Sequence, residues 1–497
     1  MTAGIIAAGH DQVAEAGAEA LRAGGNAFDA AVAAGFASAH CEPGFTSLAG
    51  GGFLLAHRSS GERTLFDFFV DTPGRGRAPG ELRSHFEPVT VHFAAAHQTF
   101  HCGLGSVAVP GNLAGYLHVH RRLGRLPLTD VISPAAGLAR NGVVIPATQA
   151  MDFALLSPIL LRTPESRQIF APAGRLLTTG DILRNLDLAA FLEHLGTDAA
   201  TTLYVGELAD RLADQMRGDD GAADGGLVTA ADLAAYRVVE RQPLAVRYRG
   251  RTVLTNPPPA FGGTLLALAL SWLDAGPPMP PPGSPELAVE LARLFADVDR
   301  HRAGDRLGRP QATRGTTQVS VVDTDGNQAS MTTSNGECSG DVVAGTGILL
   351  NNMLGEDDLH PGGFHAAPPG TRVSSMMSPT IVLAADGRPE LVLGSGGSKR
   401  IRSAILQVLV GVLDHGRELA SAVDAPRLHW DTDHVEVEPG FEVEVIAALR
   451  SLAPINVWPD RSLYFGGVHA VAPGDADHPA VGAGDARRGG SVRVVSD

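Results

Sequence analysis

Lysine is almost missing from this chain: Lys399 stands alone in 497 residues, and arginine carries nearly all of the positive charge. The bias reads as genomic composition and says nothing about function. Three cysteines, Cys41, Cys102 and Cys338, are too few and too scattered for a disulfide framework, which fits a reducing, cytoplasmic setting. No long run of one charge occurs and the formal net charge is -15. That balance excludes an electrostatic nucleic-acid footprint and would be repelled by an anionic membrane surface, leaving small molecules as the expected partners. No stretch approaches the ~20 apolar residues of a membrane span. The opening "MTAGIIAAGHDQVAEAGAEALRAGG" has no basic segment ahead of an apolar one, so no secretion signal is expected.

What is present belongs to a globular α/β chain: 44% hydrophobic, 19% charged, with Gly 60 and Pro 33 supplying many tight turns. Helical spacing predicts helices over Asp11 to Arg22, stopping at Gly24-Gly25, and over alanine-rich Phe28 to His40. "TSLAGGGFLLAHRSSGERTLFDFFV" reads as a strand pair turning at Ser60-Gly61. The middle third is mostly helical, and a proline-dense connection, Ala275 to Glu286, leads to another helix. From Thr316 onward the texture changes to strands and turns, with the helix of "RSAILQVLVGVLDHG" after a glycine cluster. Strand pairs flanked by helices in both halves predict helices outside and two sheets inside.

Within "RGTTQVSVVDTDGNQASMTTSNGECSG" a hairpin is expected to turn at Asp325-Gly326. Its first strand opens on Thr316 and Thr317 directly behind Gly315. Folding alone does not need two hydroxyls there, although a plain threonine-rich strand start is the default for so short a motif. An N-terminal threonine supplies its own base, because an α-amine has a pKa of ~7.7–8.0 against ~10.4 for lysine. That amine exists only if the Gly315-Thr316 bond is cut. On the return strand, Thr332, Thr333, Ser334 and Asn335 come back opposite the strand that begins at Thr316 and offer a hydroxyl donor, while plain β-propensity explains Thr332 and Thr333 well and Asn335 and Gly336 less well.

"GSGGSKRIRSAILQVL" brings glycines to a helix N-terminus, where backbone N–H groups suit a tetrahedral oxyanion, each donor being worth ~3–4 kcal/mol. The residue order is not that of a phosphate-binding P-loop. "NNMLGEDDLHPGGFH" and "TRVSSMMSPT" put Glu356, Asp357 and Asp358 near paired serines, acceptors for an ammonium and donors for a carboxylate, or merely solvated loop polarity. His92, His97, His101 and Cys102 crowd together, but their spacing does not line one helix face and no metal is expected.

Together these stretches, with "LRAGGNAFDAAVAA", "GGGFLL", "VAVPGNLAG", "NPPPAFGG", "GTGILLNN" and "DAPRLH", resemble the γ-glutamyltranspeptidase family of N-terminal-nucleophile hydrolases over nearly the whole chain. The resemblance implies a four-layered αββα α/β fold and a precursor cut into Met1–Gly315 and Thr316–Asp497, which stay together as a heterodimer and need no cofactor. By matching motif, Thr316 would be the nucleophile, Thr333 or Ser334 its supporting hydroxyl, and Gly396 with Gly397 the oxyanion pair. Ser374 and Ser375 would hold a substrate carboxylate, Asn335 would lie in the substrate site, and Glu356 falls where an aspartate binds the substrate amine.

The departures bear on substrate. Where the family carries Arg-Glu to clamp the glutamyl α-carboxylate, this chain has Phe69 and Val70, a loss of ~1.5–3 kcal/mol of charged hydrogen bonding. Arg75 or Arg77 is the nearby substitute. Gln318 replaces the histidine that often follows the two threonines. The inherited expectation is a γ-glutamyl-type amide hydrolase or acyltransferase acting on a substrate such as glutathione. Beside it stand a C–C bond hydrolase, similar to the relatives that make alkylproline units of lincosamide and pyrrolobenzodiazepine antibiotics, and an unprocessed binding protein.

Overall fold

The computed structural model of the chain describes residues 4–92, 97–199, 202–218, 225–304, 315–356, 359–360, 362–474 and 478–496. Asp357 and Asp358 lie outside the described residues, as do the side chains of His92 and His97. Two sheets form the centre. The seven-stranded one runs Ser491–Val495, Gly4–Ala8, Thr317–Val322, Gln328–Ser334, Gly51–His57, Arg63–Phe68, Val239–Arg241, with neighbours antiparallel. The six-stranded one runs Val481–Gly484, Gly467–Ala472, Pro389–Gly396, Thr380–Leu383, Arg251–Thr255, Leu244–Tyr248.

The two helices expected first are present as Asp11–Arg22 and Ala27–Cys41. All fifteen side chains of the second are buried, as its all-round apolar composition requires, and its alanines let it lie close against the first sheet. Asn26 caps it by accepting from Phe28 and Asp29 N–H at 2.9 and 3.0 Å, while the Asp29 carboxylate accepts from Asn26 N–H at 3.0 Å. Helices Phe261–Ala275 and Arg400–Leu413 cover the second sheet. One apolar cluster joins the first helices to one face of the first sheet, and another fills the space from between the sheets out to the second helical layer. The order is helix, sheet, sheet, helix, as expected.

Alternation along the central hairpin decides what faces where. Val319, Val321 and Met331 point into the first helical layer. Gln318, Ser320, Ser330 and Thr332 point to the second sheet and form a hydrogen-bonded seam. The Gln318 amide donates to Ser320 and Ser330 Oγ at 3.0 Å each and accepts from Thr332 Oγ1 at 2.6 Å. Ser320 Oγ donates to His469 O and Ser330 Oγ to Leu393 O, both at 2.9 Å. Ser320 and Ser330 therefore bridge the sheets, and Gln318 ties them together within the first, with every polar atom of its amide occupied.

Candidate active site

Gly315 and Thr316 sit at the end of this seam, buried. The register pairs Thr317 with Thr333, so Thr316 lies opposite Ser334 on the face turned to the second sheet. Ser334 Oγ donates to the Gly315 carbonyl oxygen and itself accepts from Gly336 N–H at 3.0 Å. Gly315 N–H donates to Glu337 Oε1 at 2.8 Å. Both ends of Gly315 are thereby held, and an added Cβ there would overlap the Gly336 carbonyl oxygen, so no larger residue fits. The Thr316 carbonyl accepts from Arg488 Nη1 at 3.0 Å.

Thr333 faces the other way. Its hydroxyl accepts from Thr46 Oγ1 at 3.0 Å beneath the helical layer, so of the two candidates only Ser334 reaches the Gly315 carbonyl. Thr317 also faces the helices and donates to Glu42 Oε1 at 2.9 Å.

A cavity of about 20 Å³ opens beside Thr316, room for about one water. Thr316, Ser334, Ser375, Ser398 and Glu356 contribute polar groups to it, and Phe69, Met353, Leu359, Met376, Met377 and Ile401 the apolar walls. Phe69 stacks on Phe53 with ring centroids 5.5 Å apart. Ser374 stays outside this lining, with its hydroxyl on the Leu359 carbonyl at 2.9 Å. The Asn335 amide turns to Cys338 Sγ at 3.2 Å and Leu350 O at 3.3 Å, a structural link within its own loop. Neither is brought to the cavity, because alternation and the local turn aim them elsewhere.

Gly396 ends its strand with its Cα against the Thr316 carbonyl, and Gly397 adopts φ +116°, packed against Gly466. The turn places Ser398, not the glycines, on the cavity wall before helix Arg400–Leu413 begins. Arg75 lies near Asp232 and Arg77 donates to the Gly226 carbonyl, so neither arginine replaces a clamp at Phe69. His101 Nδ1 meets the Gly355 carbonyl at 3.1 Å and Cys102 is buried; no metal-binding cluster occurs among the described residues.

Around Gly315 and Thr316 the structure adds four ionisable groups that sequence reading missed. Glu42, Asp152, Glu337 and Arg488 are all buried there. Burial pushes the Glu42 carboxyl up to about 7, and burial together with the charge of Glu337 pushes Asp152 up to about 8. Burial lowers Arg488 to about 10. Residues 42, 152, 337 and 488 are far apart in the chain and none stands in a motif, so no sequence signal marks them.

This four-layered αββα sandwich, with a threonine at the head of a central strand, is the architecture of the N-terminal-nucleophile hydrolases. The family model for gamma-glutamyltranspeptidase matches residues 13–307 and 282–495, and the chain belongs to that family. It is 32% identical to the glutathione hydrolase proenzyme of Escherichia coli (strain K12), covering 93% of this chain and 89% of that one. It is also 32% identical to the acylase ACY 1 proenzyme of Pseudomonas sp. (strain SE83), covering 94% and 89%. Among solved structures, cephalosporin acylase from Bacillus halodurans superposes with TM-score 0.82 at 25% identity over 99% of this chain and 96% of that one. The chain is an enzyme of this family.

Proposed function

We propose that the chain is a self-processing N-terminal-threonine hydrolase or acyltransferase that opens a small-molecule acyl bond. The observation that carries the reading is the hydrogen-bonded clamp on Gly315, with Ser334 on its carbonyl oxygen and Glu337 on its N–H, directly ahead of Thr316 on the cavity wall. In self-cleavage the Thr316 hydroxyl adds to the Gly315 carbonyl carbon, and its proton passes to the departing peptide nitrogen. The C–N bond breaks to give an ester on Thr316 Oγ and a free α-amine, and water then hydrolyses the ester to a Gly315 carboxylate. Ser334 stabilises the oxyanion of this step. In turnover the freed amine accepts the Thr316 hydroxyl proton as Oγ attacks the substrate carbonyl, then returns it to the leaving group. Water or an amine takes the acyl group. In turnover the oxyanion donor is expected from the turn that follows Gly396 and Gly397, where Ser398 lines the cavity.

Names printed for the relatives, glutathione hydrolase and acylase proenzymes, support both acyl chemistry and processing. Phe69 on the cavity wall also favours the C–C reading, in which the same hydroxyl attacks a ketone and the carbanion leaves as an enamine.

Denaturing electrophoresis with N-terminal sequencing is the test. The expected outcome is two bands, the smaller one beginning Thr-Thr-Gln-Val, and a single uncut band for Thr316→Ala. A single full-length band from the parent protein retires the proposal.

A further inference from the structure

A second cavity, of about 230 Å³, lies in the outer helical layer, away from the chemistry at Thr316. Helix Arg400–Leu413 runs between the two: Ile401 lines the cavity beside Thr316, whereas Gln407, Val410 and Gly411 line this one, Val410 standing roughly 14 Å further along the axis at ~1.5 Å per residue. The walls are apolar, formed by Leu287, Ala288 and Leu291 of helix Pro285–Gly304 with Val410, Leu428 and Phe441. The polar side chains among them differ in what they have to bond. Gln407 is spent, donating to the Ser403 and Leu428 carbonyls at 2.8 and 3.0 Å and accepting from Leu428 N–H at 3.1 Å. His415 Nε2 donates to the Pro280 carbonyl at 2.8 Å. Buried Arg427 donates through Nη1 to the Phe465 carbonyl at 3.2 Å and through Nη2 to the Val423 carbonyl and Asp485 at 2.8 and 2.6 Å, but its Nε–H has no partner among the described residues. Half-buried Arg417 has neither a hydrogen bond nor an ion pair for its guanidinium among the described residues.

An apolar cavity of ~150 Å³ takes a benzene ring, so about 230 Å³ suits an apolar body of about nine carbon atoms. The two arginines say what that body should carry. The stem of Arg417 runs over Gly411 opposite Ala422, and Arg427 reaches the Val423 carbonyl, so both border helix Leu419–Asp424 on one side of the cavity. A guanidinium partly out of water gains most from a planar, charged oxygen pair, which is what a carboxylate presents. Glu442, the lone acid in the lining, is exposed on the rim, where solvent screens it. We propose that this cavity is a binding site for a small carboxylic acid with an aromatic or branched apolar body, the body resting against Leu287, Leu291 and Phe441 and the carboxylate taken by Arg417, with the Arg427 Nε–H as a second donor on that side. The proposal is independent of the reading of Thr316, because no residue of that site lines this cavity.

Isothermal titration of the full protein with 3-phenylpropanoate, 3-phenylpropan-1-ol and 3-phenylpropan-1-amine tests it, since the three share one apolar body and differ in charge. The acid is expected to bind at one site, about tenfold or more tighter than the alcohol, the worth of a charge-assisted hydrogen bond, with the amine weakest. Arg417→Met keeps the apolar stem and removes the charge, and should bring the ratio of acid to alcohol close to one. Ala288→Phe fills the cavity and should abolish binding of both. No saturable binding of the acid, an acid no tighter than the alcohol, or a preference untouched by Arg417→Met overturns the proposal. So does full binding by Ala288→Phe, which would place the acid elsewhere on the protein. Should Ala288→Phe fail to fold, the half-buried Arg417→Met decides alone, through a ratio that a general loss of stability would leave unchanged.

Discussion

A carboxyl group buried without enough partners prefers to stay protonated, and two such groups stand beside the cut position. Glu42 has a folded pKa of about 7 against an ordinary 4.5, and Asp152 about 8 against 3.8. A raised acid pKa means that the folded state holds a proton the unfolded chain has released. Below the ordinary pKa both states are protonated and nothing is lost; as pH rises through the folded pKa, stability falls. The windows are pH 4.5 to 7 for Glu42 and 3.8 to 8 for Asp152. In the uncut Thr316→Ala background, Glu42→Gln or Asp152→Asn should therefore stabilise the protein at pH 8 by on the order of 2 kcal/mol, with the difference shrinking toward pH 5. Urea unfolding at the two pH values measures it, and a stabilisation that grows toward low pH contradicts the assignment. Thr316 stood out in the sequence through the family motifs around it, since glycine followed by threonine at a strand start reads by itself as ordinary. Glu42, Asp152 and Arg488 did not, since burial is a property of the assembled layers and a lone Glu or Arg in sequence looks like any solvated charge.

At the scale of the element, one register separates two hydroxyls. The hairpin pairs Val322 with Gln328 and Thr317 with Thr333, so Ser334 shares a face with Thr316, and Thr333 shares one with Thr317. The sequence shows the turn at Asp325-Gly326, and Gly326 indeed adopts φ +86°. It does not show how many residues the loop takes, and a shift of one exchanges the two faces completely. That is why the strands were readable and the choice between Thr333 and Ser334 was not. The same limit applied to the glycine turn, where Ser398 reaches the cavity wall because Gly397 reverses the chain with a backbone that favours glycine. Ser334→Ala removes the donor on the scissile carbonyl and should slow self-cleavage at least tenfold, toward the ~10²–10³ typical of a lost oxyanion donor. Thr333→Ala loses a contact with Thr46 under the helical layer and should cost about 1 kcal/mol of stability while leaving the cleavage rate within about threefold. Time courses of band appearance for the two variants decide it; the reverse order would mean that the register differs.

For the whole molecule, the cut position and the fold boundaries do not coincide. In the first sheet Gly4–Ala8 lies between Ser491–Val495 and Thr317–Val322, and Gln328–Ser334 pairs with Gly51–His57. In the second, Arg251–Thr255 pairs with Thr380–Leu383. Cutting at Gly315 therefore divides the chain but neither sheet, and each piece alone would expose unpaired strand edges and the apolar surface of the clusters to which both contribute. The sandwich was legible in outline, because alternating strand pairs between helices allow few layer arrangements. The interleaving was not, since pairing partners hundreds of residues apart leave no local mark. If the chain is cut as proposed, the two pieces are expected to stay together as one cooperative unit. Processed protein should elute in size exclusion with uncut Thr316→Ala, and should unfold in urea in a single transition by both fluorescence and circular dichroism. Unlike the uncut chain, its midpoint should rise with protein concentration, because the unfolded state is now two molecules. Separation of the pieces under native conditions would place the boundary between two independent halves, which the strand order forbids.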